Sequence, residues 1–321
     1  MFTGDTLFIG DCGRPDLRES AGNIQSKREI LAKQMYHSLR GKLATLPGNV
    51  IVYPAHGAGT LCGKNLSTEK SSTIGEEKLT NWCLQEATED EFVNTLLEDQ
   101  PFIPAYFTFD VALNRKGVTH FHESIAKIKI GITITKKSLP DLDKSIWVID
   151  TRTEEAFKNG HLSNSINLME DGKFETWLGS IIQPKEMFYL ACESKEQLEN
   201  ILERVAEIGY ESQVKEGFVI EEGNITDGKI DVDDLKKHEE DYTIIDVRNS
   251  SEVKEGKIFA ASIAIPLAEV RSRMKEIPTN KPIVVHCAGG YRSAAASSLI
   301  QSKLDGEVNV FDLGEAIKEF K

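Results

Sequence analysis

Ile146-Trp147-Val148-Ile149-Asp150-Thr151-Arg152 and Thr243-Ile244-Ile245-Asp246-Val247-Arg248 are two versions of one phrase, an apolar strand closing on Asp-x-Arg. A polar helical stretch ending at a glycine, Gly160 or Gly256, follows each. Each copy then offers a second apolar strand ending in cysteine, Met187–Cys192 and Ile283–Cys287. A helical pattern comes next, Gln197–Ile208 in one copy and Ser293–Lys303 in the other. Asp150 and Asp246 lie 96 residues apart, Cys192 and Cys287 95. Matched landmarks at nearly equal offset mean duplicated units. Strands alternating with helices predict parallel sheets covered on both faces. The expected architecture is α/β: two small domains with central parallel sheets, at 119–228 and 229–321, behind a partial N-terminal unit at 1–100 and a linker at 101–118.

Working outward, 321 residues suit two domains or three small ones at about 150 residues each. A composition of 40% hydrophobic and 28% charged residues is that of an ordinary globular chain. No apolar run approaches the roughly 18 residues that suggest a membrane span. The opening MFTGDTLFIG lacks the basic flank and apolar stretch of a secretion signal. A net charge of −13 argues against a surface that coats nucleic acid. Five cysteines without a CxxC pair make poor disulfide or zinc-ribbon material, so a reduced, cytoplasmic protein is expected, and any notable cysteine matters for its reactivity.

Within the N-terminal unit, Phe2–Gly10 reads as a strand broken at Gly4-Asp5. Ile24, Ile30, Leu31, Met35 and Leu39 space a helix, Val50–Tyr53 reads as a buried strand, and a helix is expected from about Glu76 to Asp99. Residues 101–119 read as a linker that packs, because Phe102, Tyr106, Phe107 and Phe109 are too apolar for free coil.

The sharpest chemistry lies in His286-Cys287-Ala288-Gly289-Gly290-Tyr291-Arg292-Ser293. A strand stops at a cysteine and a glycine loop returns to the start of a helix. Such a loop turns backbone N–H groups toward the sulfur, and the helix N-terminus adds partial positive charge. Both favour thiolate, so the thiol is expected below its free pKa of about 8.5. The glycines let the loop adopt positive φ and bring N–H groups together. Arg292 offers a planar, permanently charged fork for the loop or for an incoming anion. The alternative is a buried structural cysteine beside a glycine turn.

Asp246-Val247-Arg248 together with Cys287 and Arg292, four residues between them, resembles the rhodanese (sulfurtransferase) domain over residues 229–321. The resemblance implies that Cys287 carries a sulfane sulfur as a persulfide and passes it to a thiol or cyanide, with Ala288, Gly289, Gly290, Tyr291 and Ser293 as the loop cradle and Asp246 and Arg248 in support. It implies no cofactor. Lys257 stands where that family usually has His, and Asp312-Leu313-Gly314-Glu315 lacks the usual Gly-Gly. In the first copy, Cys192-Glu193-Ser194-Lys195-Glu196-Gln197 has no glycine, and Gln197 replaces the arginine. Carboxylates beside that sulfur are expected to raise its pKa. The first copy is therefore read as a degenerate, non-catalytic rhodanese.

Gly4-Asp5-Thr6, Cys12-Gly13-Arg14 and Pro54-Ala55-His56-Gly57, in this order, resemble the C-terminal part of an αββα metallo-β-lactamase fold of the persulfide dioxygenase or glyoxalase II branch. By resemblance, Asp5 and His56 are remnant metal ligands, and Arg14 and Cys62 lie near a thiol substrate. Cys62 reads as a plain surface or pocket cysteine before it reads as a sulfur relay between domains. The HxHxDH ligands expected upstream of Asp5 do not occur in this sequence, which suggests a truncated product or a start assigned to an internal Met; His120-Phe121-His122 reads as solvated linker. One carboxylate and one imidazole fall short of the three or more ligands a catalytic metal needs. Iron, or zinc, is thus expected only in an intact parent. The whole resembles bacterial metallo-β-lactamase-fold/rhodanese fusions lacking the metal-binding half. Residues 1–95 should expose strand edges and core faces, leaving homo-oligomerisation open. The expected partners are low-molecular-weight thiols, persulfides and thiosulfate. Other readings are a thioester hydrolase with accessory rhodanese domains, and a non-catalytic persulfide sensor.

Overall fold

A computed structural model describes residues 1–18, 28–58, 60–64 and 66–321 and divides them into two units, Met1–Ile103 and Pro104–Lys321. The first unit contains β1 (Phe2–Gly4), α1 (Arg28–Ser38), β2 (Ile51–Pro54), β3 (Ser72–Thr73), α2 (Ile74–Thr80) and α3 (Glu89–Leu97). β2 pairs parallel with β1 and antiparallel with β3. Side chains alternate across this small sheet, as a strand repeat of two requires: Thr3 and Val52 are buried, while Phe2 (88% exposed), Ile51 and Tyr53 face outward. Leu7, Leu39, Val52, Ile74, Phe92 and Leu96 form the core.

One expectation changes here. The single helix from Glu76 to Asp99 is split. Asn81 is buried, its amide donates to the carbonyls of Phe8 and Asp11, and its Oδ1 accepts the Cys83 N–H. A side chain bonding to backbone in this way competes with helix continuation, and α3 restarts behind the Thr88/Glu91 capping box. The predicted helix around Ile30–Leu39 is present as α1, and Ile24 lies outside the described residues.

The second unit opens with α4 (Tyr106–Lys116) and α5 (Phe121–Ile125). The linker expected at 101–118 is therefore mostly helix, and it packs because its aromatic residues have partners: the Phe109 ring meets Tyr210 at 5.9 Å, tilted 70°. The first copy follows as β4 (Trp147–Asp150), α6 (Glu154–Asn159), β5 (Ser165–Asn167), α7 (Phe174–Ile181), β6 (Phe188–Cys192), α8 (Lys195–Glu207) and β7 (Val214–Val219). The second is α9 (Val232–Lys237), β8 (Thr243–Asp246), α10 (Ser250–Glu255), β9 (Ile263–Ala264), α11 (Val270–Arg273), β10 (Ile283–His286), α12 (Tyr291–Leu304) and β11 (Val310–Asp312). Both sheets are parallel and share one order, β5-β4-β6-β7 and β9-β8-β10-β11. In each, the cysteine strand is central and ends beside the Asp-x-Arg strand. All four residues of β10 are buried, as a strand flanked on both edges and covered on both faces requires.

The copies join through α12. Ser293 to Ile300 are all buried, so no polar stripe remains on that stretch; its alanines and serines allow close approach. Ser298 Oγ accepts the Asn167 N–H at 2.9 Å, and the Ser302 hydroxyl donates to the Ser165 carbonyl at 3.1 Å. These serines satisfy the free edge of β5, which would otherwise present unpaired backbone groups. Among the described residues no helix is long and apolar enough to cross a membrane.

Candidate functional site

Parallel strands bring their carboxyl ends to one edge of a sheet, where α/β proteins gather their reactive groups. Cys287 follows β10 at that edge and is buried. Gly290 turns the loop at φ +104°, a conformation L side chains rarely adopt, and its N–H donates to Cys287 Sγ at 3.1 Å. Ser293 Oγ lies 3.7 Å from the sulfur and donates to the Gly290 carbonyl at 2.9 Å, holding the turn. The two glycines differ. A Cβ at Gly290 would meet Gly314 backbone at 3.3 Å, whereas one at Gly289 would point into open space. Of the remaining cradle residues, Tyr291 donates its hydroxyl to the Met169 carbonyl of the first copy at 2.9 Å, and the Ala288 carbonyl accepts Lys321 Nζ at 2.7 Å.

Arg292 is not a free anion receptor. Its Nη1 and Nη2 grip Glu252 of α10 at 2.5 and 2.9 Å, side by side with the sulfur. Burial pushes the Glu252 carboxyl up, but the Arg292 fork and the Asn249 N–H outweigh it and hold Glu252 below the usual carboxylate range. Glu252 was absent from the sequence reading, although Asn249-x-x-Glu252 carries the spacing of a capping box at a helix start.

Asp246 and Arg248 act as a clamp. Arg248 Nε and Nη2 hold Asp246 at 3.0 and 2.6 Å, and Nη2 also reaches the Gly256 carbonyl at 3.0 Å, tying the strand end to the end of α10. Arg152, Asp150 and Gly160 repeat this in the first copy at 3.0, 2.7 and 2.7 Å. The Asp-x-Arg repeat is therefore an architectural bond present whether or not the cysteine loop is intact. Beside it, His286 is fully buried, its ring edge-on to Phe259 and 3.8 Å from Asp246 Oδ2; burial holds it below the usual histidine range.

The first copy's loop is closed by its own side chains. Gln197 Oε1 accepts the Glu193 N–H at 2.6 Å, and its Nε2 donates to Glu170 at 2.9 Å. The Thr151 hydroxyl donates to Cys192 Sγ at 3.2 Å. The Cys192 thiol is pushed up to about 12, as the reading of a silent cysteine requires, but the cause differs: burial dominates and Asp150 and Glu170 add to it, while Glu193 and Glu196 are exposed.

In the first unit, Asp5, Arg14 and Cys62 line one cavity of about 380 Å³, and His56 Nε2 meets Asp5 Oδ1 at 2.9 Å. The structure thus gathers all four predicted residues. It also spends the fork of Arg14, the expected thiol contact, inside the fold: Nε and Nη2 hold Asp16 at 2.9 and 2.6 Å, Nη1 reaches the Leu61 carbonyl at 2.7 Å, and Nη2 also meets the Pro101 carbonyl. Burial raises the Cys62 thiol above its ordinary value. Asp5 and His56 offer two donor groups, and among the described residues no third joins them; the donor set of the described residues does not fit a catalytic iron or zinc. Asp11, Cys12 and Cys83 do cluster, yet the Asp11 oxygens already accept the Cys12 and Lys64 N–H groups and Trp82 Nε1, and burial holds the Cys83 thiol well above its ordinary range. His120 and His122 are exposed on and beside α5, as expected of solvated histidines.

A duplicated four-stranded parallel sheet, one copy with a cysteine held by a glycine turn at a helix start and the other with its loop sealed, defines a tandem α/β cysteine-loop protein. The Rhodanese family model, described as a rhodanese-like domain, matches residues 135–223 and 231–321, more than half of the chain. The chain belongs to the rhodanese-like domain family. It is 35% identical over 112 residues to the mitochondrial persulfide dioxygenase ETHE1 of Mus musculus, covering 35% of this chain and 36% of that protein. A sulfurtransferase of Allochromatium vinosum is 32% identical over 69 residues, 22% of this chain and 64% of that protein. A metallo-beta-lactamase crystal structure from Staphylococcus aureus superposes with a TM-score of 0.54 at 28% identity, covering 68% of this chain and 57% of that one. Together these identify a metallo-β-lactamase-fold/rhodanese fusion whose relatives point to sulfur metabolism. The chain spans about a third of the length of the persulfide dioxygenases it matches.

Proposed function

We propose that the chain is a sulfurtransferase working through a Cys287 persulfide. The observation that carries the reading is Cys287 Sγ under the Gly290 N–H at the start of α12. In the first half-reaction the Cys287 thiolate attacks the outer sulfur of a donor, forming Cys–S–S⁻ and expelling sulfite from thiosulfate or a thiolate from an organic persulfide. In the second, an acceptor thiolate or cyanide attacks that outer sulfur, leaving as a persulfide or thiocyanate and returning the Cys287 thiolate. The Gly290 N–H and the helix N-terminus face the negative charge that passes between the two sulfurs, so the site stabilises what develops during transfer. No cofactor enters either step.

The first unit fits a place in a longer persulfide-oxidising protein whose metal ligands come from elsewhere than this chain, and the transferase then couples to its product. A thioester hydrolase parent is the weaker reading, since the fused rhodanese copies have no part in that chemistry.

Intact mass after incubation with thiosulfate or an organic persulfide tests the proposal. One added sulfur atom is expected, removable by a small thiol and absent in Cys287→Ser. Sulfur uptake by Cys287→Ser would move the carrier to another cysteine, Cys62 first, and no uptake with either donor would end the transferase reading. Uptake without release to any thiol or cyanide would favour a sensing module.

A further inference from the structure

The catalytic loop is walled in part by the copy that has lost its own loop. Helix α6 of the first copy presents Glu154 and Lys158 toward the second. A Cβ at Gly314 would lie 2.6 Å from Glu154 Oε1, and one at Gly290 3.6 Å from Glu154 Oε2, so this carboxylate stands over Gly290 of the Cys287 turn and over Gly314 packed against it. Lys158 pairs with Glu154 and reaches Asp312 Oδ2 at 3.0 Å; Asp312 Oδ1 in turn accepts the Gly314 N–H at 2.9 Å. This triad has two carboxylates and one ammonium. Burial and the neighbouring Asp312 both push Glu154 up, which fits a carboxylate crowded by another. Of the cations around the loop, Arg292 is paired with Glu252 and Arg248 with Asp246, while Lys321 Nζ donates to the Ala288 carbonyl. The Glu154–Lys158–Asp312 group therefore leaves a surplus carboxylate charge on the Gly290 side of the loop.

We infer that Glu154 is a specificity-determining residue, supplied by the silent copy, that discriminates against doubly charged sulfur donors. The inference rests on the sulfur-transfer reading of Cys287. Thiosulfate brings two negative charges toward the turn and a small organic persulfide brings one, so the Glu154 carboxylate opposes the first more strongly than the second. Specificity then comes from a repulsive element, without any contact that favours the preferred donor. The retained first copy has a task in this scheme even though its own cysteine is sealed.

The test compares second-order rates of sulfur loading onto Cys287, read by intact mass after rapid quench, for thiosulfate and for mercaptoethanol persulfide. Glu154→Gln keeps a polar group for Lys158 and removes the charge. It is expected to raise the thiosulfate-to-persulfide rate ratio roughly five- to tenfold at low salt, the size of one unit charge acting across a partly buried site, with the gain shrinking as salt is added. Lys158→Gln leaves the two carboxylates uncompensated and should lower the same ratio. Loosening of the interface would move both donors together and cannot drive the ratio in opposite directions. An unchanged ratio in both variants overturns the inference while leaving the transferase reading intact. Should Glu154→Gln fail to fold, the sign of the Lys158→Gln change decides. If the unmodified protein loads neither donor, the transfer reading itself fails, and the inference with it.

Discussion

At the residue scale, the two cysteines that end the central strands separate cleanly. Both are buried, so burial alone does not mark the reactive one. The difference lies in what faces the sulfur: a backbone N–H at Cys287, a threonine hydroxyl and a closed glutamine loop at Cys192. With its thiol pushed up to about 12, Cys192 stays protonated across the neutral range, and only thiolate is nucleophilic. Native protein treated with iodoacetamide at pH 8 should leave Cys192 unmodified and label it only after unfolding, as peptide mapping would show. Glu252 makes a second residue-level case. Glu252→Gln leaves the largely buried Arg292 guanidinium without its counter-charge. Breaking a fully buried pair costs about 3–5 kcal/mol; with about a third of the Glu252 side chain exposed to solvent, a loss of about 1–2 kcal/mol is expected, measured by urea denaturation. The sequence announced Cys287 and its glycines because a strand–Cys–Gly–helix pattern is local. Glu252 and Glu154 escaped because their importance comes from which helix the fold lays beside the loop, and no spacing within the loop encodes that.

At the scale of elements, the turn between β10 and α12 sets what each glycine must do. Gly290 sits at φ +104° against Gly314 backbone, so Gly290→Ala should strain the turn by about 1–3 kcal/mol and displace the N–H from the sulfur. Sulfur loading should then fall by at least tenfold, while Gly289→Ala, whose added methyl meets only open space, should load at close to the unmodified rate. Equal losses for the two would mean the loop acts as a flexible whole. Elements were legible where one rule governed them. The strands of both copies read as unbroken apolar runs because central parallel strands are buried on both faces. α12 was legible as a helix, but not as the seam between copies; its Ser-Ala-Ala-Ala-Ser-Ser run carries no apolar stripe, and only the β5 edge beside it explains the composition. The Glu76–Asp99 helix was misread because Asn81 bonds to distant carbonyls of the Phe8–Asp11 loop, a long-range choice that local periodicity cannot express.

At the scale of the whole molecule, the repeat was visible from its Asp-x-Arg phrases, and its asymmetry in charge appears only in three dimensions. Asp150 is raised by complete burial, while at Asp246 burial is outweighed by Arg248 and the neighbouring His286, and its carboxyl is held down. Acid therefore acts differently on the two copies. A carboxyl held below its unfolded pKa of about 3.9 contributes stability that is present above that value and lost as pH falls through the folded one, so the second copy loses the Asp246 contribution in strong acid. A carboxyl raised in the fold takes its proton more readily folded than unfolded, so acidification favours the fold at Asp150. The histidines act earlier. His161 in the first copy is held down to about 3, by burial and by the nearby Arg152 charge, and lies 3.0 Å from Asp227. Its unfolded form binds protons near pH 6.5, so the stability it contributes as a neutral ring is complete above that value and declines as pH falls toward the folded pKa. His161→Gln keeps an amide donor for Asp227 and removes the titration. Thermal unfolding between pH 7 and pH 5 should therefore show a falling Tm in the unmodified protein and a flatter dependence in His161→Gln. A variant whose Tm follows the same slope would mean that His161 binds its proton equally well folded and unfolded, and that the acid sensitivity of this region originates elsewhere; a steeper fall in the variant would mean that the Asp227 carboxylate keeps His161 protonated in the fold.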